Sequence, residues 1–108
     1  MKTVEKPWGK EVWLEVNDKY VVKELHINPN QRISLQYHEK KLETMYVLQG
    51  HGDLLLDDVV IELYNGLSIT IPPKAVHRLS ACSGGIIILE TSTPELEDVV
   101  RIEDDYNR

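Results

Sequence analysis

Turn signals interrupt this chain so often that little but short strands fits between them. Lys10–Val16 reads KEVWLEV and runs into Asn-Asp-Lys. Tyr20–Ile27 reads YVVKELHI and runs into Asn-Pro-Asn-Gln. Arg32–His38 comes next, then a charged EKKL loop, then Glu43–Gly50. GDLLLDD and VVIEL meet at Asp57-Asp58, a tight-hairpin signal, and LSITIP leads to Pro72-Pro73. VHRLSA and GIIILETS flank CSGG, which reads as a further hairpin. Val, Ile and Leu dominate the apolar set and Phe is absent, which favours strands. The sum is about nine short strands in close succession, the pattern of an all-β sandwich or barrel. Only the tail from Pro94 onward has room for a short helix, with Thr93-Pro94 as its start. The predicted fold is all-β with a short helical or irregular C-terminal tail.

The 108 residues suit a single domain, 1–108, with no linker or internal repeat. At 42% apolar and 28% charged, the composition excludes a disordered chain. A net charge of −6 argues against nucleic acid or an anionic membrane as partner. A small anion stays open, because a few local cations outweigh the mean. Cys82 is the single cysteine, so no intrachain disulfide forms, and a reducing cytoplasm is the expected setting. The first residues, MKTVEKPWGKEVW, have no signal-peptide apolar region, and no apolar run approaches the roughly 18 residues of a membrane span.

Strand residues point alternately to opposite faces, so spacing carries chemistry. Arg32, Ser34, Gln36 and His38 share one face of their run, and Gln36 and His38 are close enough to reach one ion. Glu43 follows across a short loop. The segment GLSITIPPKAVH brings His77 after a proline turn. Gln36, His38, Glu43 and His77 make a mixed N and O donor set suited to zinc, manganese, iron or cobalt. The same spacing also fits surface or core histidines satisfied by backbone, which is the expectation for His26 and His51. Lys23 shares its face with Val21, Leu25 and Ile27, and Glu90 alternates with Ile86 and Ile88.

The run Gln36-x-His38-x4-Glu43-x6-Gly50, followed by Gly66-x5-Pro72-x4-His77, resembles the two sequence motifs of the cupin superfamily. The first ligand there is usually histidine. Gln36 is the variant of one branch, the cupin domain of type II mannose-6-phosphate isomerases, often fused to mannose-1-phosphate guanylyltransferases. KPWGKEVWL resembles that branch's R-P-W-G-x-Y opening, IPPKAVHRL its I-P-A-G-T-P-H-R-L, and EDVVRIEDDYNR its E-D-D-I-V-R-x-x-D-x-Y-G-R ending. The resemblance implies a cupin-type double-stranded β-helix, a jelly-roll barrel, with one divalent metal ion, zinc first among the choices. Lys74, Asn30 and Asn107 stand where the branch has glycine. HEKKLETMY departs from H-H-H-R-A-E-H-W, and no Gly-rich phosphate loop for nucleotide transfer is present.

The expected activity is interconversion of mannose 6-phosphate and fructose 6-phosphate, or of a related aldose/ketose pair. Arg32, Arg78, Lys10 and Lys74 are the candidate substrate-binding cations. Lys23, Arg32 and Glu90 are the candidate catalytic groups. A cupin that binds metal and sugar without turnover is the alternative, as is an iron-dependent oxygenase. The expected assembly is a homodimer, with VWLEV and Trp8 as contact material or, equally, as core.

Overall fold

A computed structural model describes residues 1–106 of the chain. Its nine strands are β1 (Lys2–Lys6), β2 (Gly9–Val16), β3 (Val21–Ile27), β4 (Leu35–Tyr37), β5 (Glu43–Leu56), β6 (Val59–Leu63), β7 (Ser68–Ile71), β8 (His77–Ser92) and β9 (Val100–Glu103). No helix forms among the described residues. One path of neighbours runs β1-β2-β3-β8-β4-β9, and β5 joins β8 while carrying β6 and β7. All pairings are antiparallel.

The Asp57-Asp58 signal is a two-residue hairpin turn. Leu56 pairs with Val59, and the two aspartates have φ of 45° and 70°. Positive φ at both central positions matches the twist of the flanking strands. The CSGG signal is different. β8 runs straight through it, because both halves of β8 pair with β5 rather than with each other. The register passes from Gly50↔Ile86 to Gly52↔Ala81, so residues 82–85 bulge opposite His51. Glycine permits this close crossing. A Cβ on Gly50 would lie 2.4 Å from Gly85 O, and one on Gly52 would lie 2.1 Å from Ser80 O. The tail is irregular as far as Val99 and then forms an edge strand, β9, along β4 instead of a helix.

Alternation holds most clearly in β3, where Val21, Lys23, Leu25 and Ile27 are buried. The inward faces of β3, β5 and β8 supply Leu25, Ile27, Met45, Val47, Leu54, Ile86 and Ile88 to one apolar cluster. Trp8, open to a reading as contact material for a second subunit or as core, is 3% exposed and belongs to this core. The core fills one part of the curled sheet. At the other, polar inward-facing residues surround a cavity whose walls include Trp8, Leu25 and Met45.

Both glycine-replacing residues within the described range adopt the backbone that glycine favours. Asn30 has φ of 61° and Lys74 has φ of 72°. Asparagine accepts this region cheaply and lysine does not. Asn107 lies outside the described residues.

Candidate metal centre

Three segments deliver the candidate ligands. Gln36 sits in β4 directly opposite His77, the first residue of β8. His38 follows β4, and Glu43 opens β5. The left-handed Lys74 turn ties the segments together, since its N–H donates to His38 O at 2.6 Å.

His38, Glu43 and His77 are all buried, and they offer ligand atoms that lie within 4.8 Å of one another. His38 Nε2 is 3.5 Å and His77 Nε2 is 3.2 Å from Glu43 Oε1. Each imidazole is oriented from its far side. His77 Nδ1 donates to Ala75 O at 2.9 Å, and His38 Nδ1 donates to Asp98 O. A donating Nδ1 leaves an unprotonated Nε2 in the neutral ring, the form that binds metals. Both Glu43 carboxylate oxygens and His77 Nε2 are buried without a hydrogen-bond partner. The Lys41 ammonium offsets the charge on Oε2, but no donor meets Oε1 or His77 Nε2, and such buried groups are costly in a folded protein. Two imidazole nitrogens and a carboxylate converging in this way fit a divalent cation such as zinc, with the Gln36 side of the cavity beside them.

Burial alone would raise the Glu43 carboxyl. The rings of His38 and His77 and the Lys41 ammonium outweigh it and hold the group well below the usual carboxylate range. For His38, burial lowers the imidazole but the adjacent Glu43 raises it more.

A second charged layer lies behind the triad. Buried Lys41 reaches Glu43 Oε2 and Glu90 Oε2, each at 3.3 Å. Burial disfavours its charge, but Glu90 and Glu43 more than restore it. The Glu90 carboxyl is raised, first by burial and then by the nearby Glu43 charge. Lys23 stands opposite Glu90 in the β3–β8 ladder. It pairs with Glu11 at 3.3 Å and lies 4.8 Å above the Trp13 ring. A cavity of about 140 Å³ is lined by Gln36, His38, Glu43 and His77, and also by Lys23 and Glu90.

The four proposed substrate-binding cations do not line this cavity. Arg32 is exposed and donates to Asp105 through Nε at 2.7 Å and Nη2 at 2.9 Å. Its expected alternation with Gln36 fails because β4 begins only at Leu35 and its register to β9 shifts between Leu35 and Gln36. Arg78 follows His77 on the strand and so points to the other face. There it donates to Ile33 O at 2.8 Å and to Asp105 at 3.2 Å. Lys10 and Lys74 are exposed. His26 contacts Glu24 at 2.8 Å and His51 is exposed, so neither joins the centre.

Lys41 and Asp98 were not legible as site residues. Lys41 belongs to EKKL, which reads as a solvated loop. The Asp98 carboxylate accepts from the backbone N–H groups of Glu39, Lys40 and Lys41 at 2.9, 2.7 and 3.0 Å. With its carbonyl on His38, it fastens the tail to the ligand loop. The one signal for it is its place in the EDVVRIEDDYNR tail that resembles the branch's ending.

An all-strand, curled jelly roll with such a centre inside it defines a cupin. Among solved structures, KdgF from a Halomonas species superposes with a TM-score of 0.81 at 14% identity, covering 88% of this chain and 87% of that one. An RmlC-like cupin from Shewanella frigidimarina superposes at 0.80 with 23% identity, covering 89% and 86%. Within that class the chain belongs to the family described as mannose-6-phosphate isomerase C-terminal, which matches residues 1–104. The alginate biosynthesis protein AlgA of Pseudomonas aeruginosa is 32% identical over 111 residues, covering 97% of this chain. A mannose-1-phosphate guanylyltransferase of Escherichia coli is 33% identical over 113 residues, covering 99%. The chain spans 23% of the length of each of these two relatives. No helix among the described residues is long and apolar enough to cross a membrane.

Proposed function

We propose that the chain is a metal-dependent aldose–ketose isomerase acting on a hexose 6-phosphate, with mannose 6-phosphate and fructose 6-phosphate as the leading pair. The observation that carries this reading is the meeting, in one cavity, of orphaned ligand atoms on Glu43 and His77 with a buried acid–base pair, Lys41–Glu90. His38, Glu43 and His77, with Gln36 beside them, would hold one divalent ion, zinc first. Such an ion would supply electrostatic stabilisation of the negative charge that develops on the sugar during proton transfer.

Glu90 takes the proton from C2 of the aldose and returns it to C1, while the C2 hydroxyl proton passes to the C1 oxygen, so the carbonyl moves from C1 to C2. A carboxyl raised toward neutrality suits that exchange better than an ordinary one. Lys41 Nζ holds Glu90 Oε2 and so fixes which edge of the carboxylate faces the sugar. Lys23, opposite Glu90 and anchored by Glu11, adds positive charge to the same wall. The apolar walls from Trp8, Leu25 and Met45 exclude water.

The test is conversion of mannose 6-phosphate by zinc-loaded protein. Glu90→Gln should retain zinc and sugar phosphate and lose about 10²–10⁴-fold in turnover. Sugar-phosphate binding by the wild type with no turnover would replace the enzyme with a binding cupin. Oxygen uptake with iron alone would replace it with an oxygenase. The proposed setting is the cytoplasm, consistent with an exposed free Cys82. The proposed assembly is a homodimer; with Trp8 in the core, exposed Val59 and Val60 on β6 are the better contact material. Light scattering that gives a monomer mass would end that proposal.

A further inference from the structure

Two of the four Lys and Arg side chains that line the cavity of this acidic protein make no ion pair with a described carboxylate. Glu11 is taken by Trp13 Nε1 at 2.8 Å and Lys23 at 3.3 Å. Glu43 and Glu90 share Lys41. Two more cations line the same space, Lys6 and Arg101. No hydrogen bond or ion pair joins either side chain to a described residue. Lys6 contributes to holding the Glu11 carboxyl down, but as the smaller influence behind Lys23.

Their placement follows from the ladders. Arg101 in β9 stands directly opposite Gln36 in β4, and Gln36 stands directly opposite His77 in β8. Residues directly opposite in an antiparallel pair share a face. His77, Gln36 and Arg101 therefore form one row on the inner face, with Arg101 two strand spacings, about 10 Å, from His77. Lys6 arrives from the other end of the sheet path, at the close of β1. Each end of the curled sheet sends one unpaired cation to the cavity.

We propose that Lys6 and Arg101 form an anion subsite for the phosphate of the sugar substrate, at the end of the cavity away from the ligand triad. This rests on the sugar-phosphate reading above and deepens it. Arginine offers a planar fork to phosphate oxygens and lysine a movable point charge. An anionic group held at Arg101, several bonds from hydroxyls held near His77, gives the substrate one direction in the cavity. Arg101 is exposed and Lys6 half-buried, which suits a mouth that must admit a hydrated anion.

The experiment is calorimetric titration of the zinc-loaded full chain at low salt with mannose 6-phosphate, mannose and inorganic phosphate. Arg101→Gln and Lys6→Gln should each weaken mannose 6-phosphate and phosphate by about tenfold or more. Mannose and zinc binding should stay unchanged. Arg101→Lys should recover part of the loss, and Lys19→Gln, at the distant β2–β3 turn, should leave all three unchanged. A Lys6→Gln/Arg101→Gln double variant that binds mannose 6-phosphate and phosphate as tightly as wild type would overturn the subsite. Equal loss of mannose and mannose 6-phosphate would overturn it too. Because binding is the readout, an Arg101-dependent phosphate site without turnover would sink the isomerase reading and leave the subsite standing.

Discussion

Lys74 carries the clearest local conflict between residue type and backbone. Its φ of 72° is a glycine conformation, yet its N–H is the donor that holds His38 O. The left-handed cost for a lysine is about 1–2 kcal/mol, and the extra freedom of glycine in the unfolded chain offsets part of the relief. Lys74→Gly should therefore gain roughly 0.5–1 kcal/mol, seen as a rise of a few degrees in melting temperature with the His38 contact kept. Asp98 is the opposite case, an ordinary-looking residue with a large role. Its carboxylate caps three backbone donors of the ligand loop while its carbonyl orients His38. Asp98→Ala should weaken zinc by about 10–100-fold in competition against a chelator, with the ligands themselves intact.

At the scale of elements, the tail is what the fold adds to a plain strand sandwich. β9 pairs with β4, and Asp105 just beyond it clasps both Arg32 and Arg78. The Asp105 carboxyl is held below its ordinary value, chiefly by the hydrogen bond from Arg32, with the charges of Arg32 and Arg78 adding to it. A depressed carboxyl stabilises the folded state above its unfolded value of 3.8, and that contribution fades as pH falls through the lower folded value. The melting temperature of wild type should thus exceed that of Asp105→Asn at neutral pH, and the gap should close in acid below pH 3.8. A gap that widened in acid would mean the clasp is not ionic. β5 and β8 illustrate a different lesson. The strand segments were legible from apolar runs and Asp57-Asp58 from its turn chemistry, whereas CSGG was misread. Small residues that suit a hairpin suit a close backbone crossing equally well, and local sequence does not distinguish them.

For the whole molecule, the apolar cluster is contiguous and includes none of the ligand residues, so removal of metal should loosen the centre without unfolding the chain. Zinc at about 100 times its dissociation constant should add about 2.7 kcal/mol to stability, read as a higher melting temperature that chelator reverses. Chelator without effect on a protein shown to contain zinc would place the ion elsewhere. By itself the sequence determined the all-β class and brought forward Gln36, His38, Glu43 and His77 as candidate ligands. Period-two patterning, turn residues and ligand spacing are local properties, and they survive being read one segment at a time. Only the tertiary structure decided which charges meet. It sent Arg32 and Arg78 to Asp105, brought Lys41 from a loop to Glu43 and Glu90, and set Arg101 in the row of His77. The physical reason is that strand pairing joins residues far apart in the chain, and a one-residue shift of register turns a side chain to the opposite face.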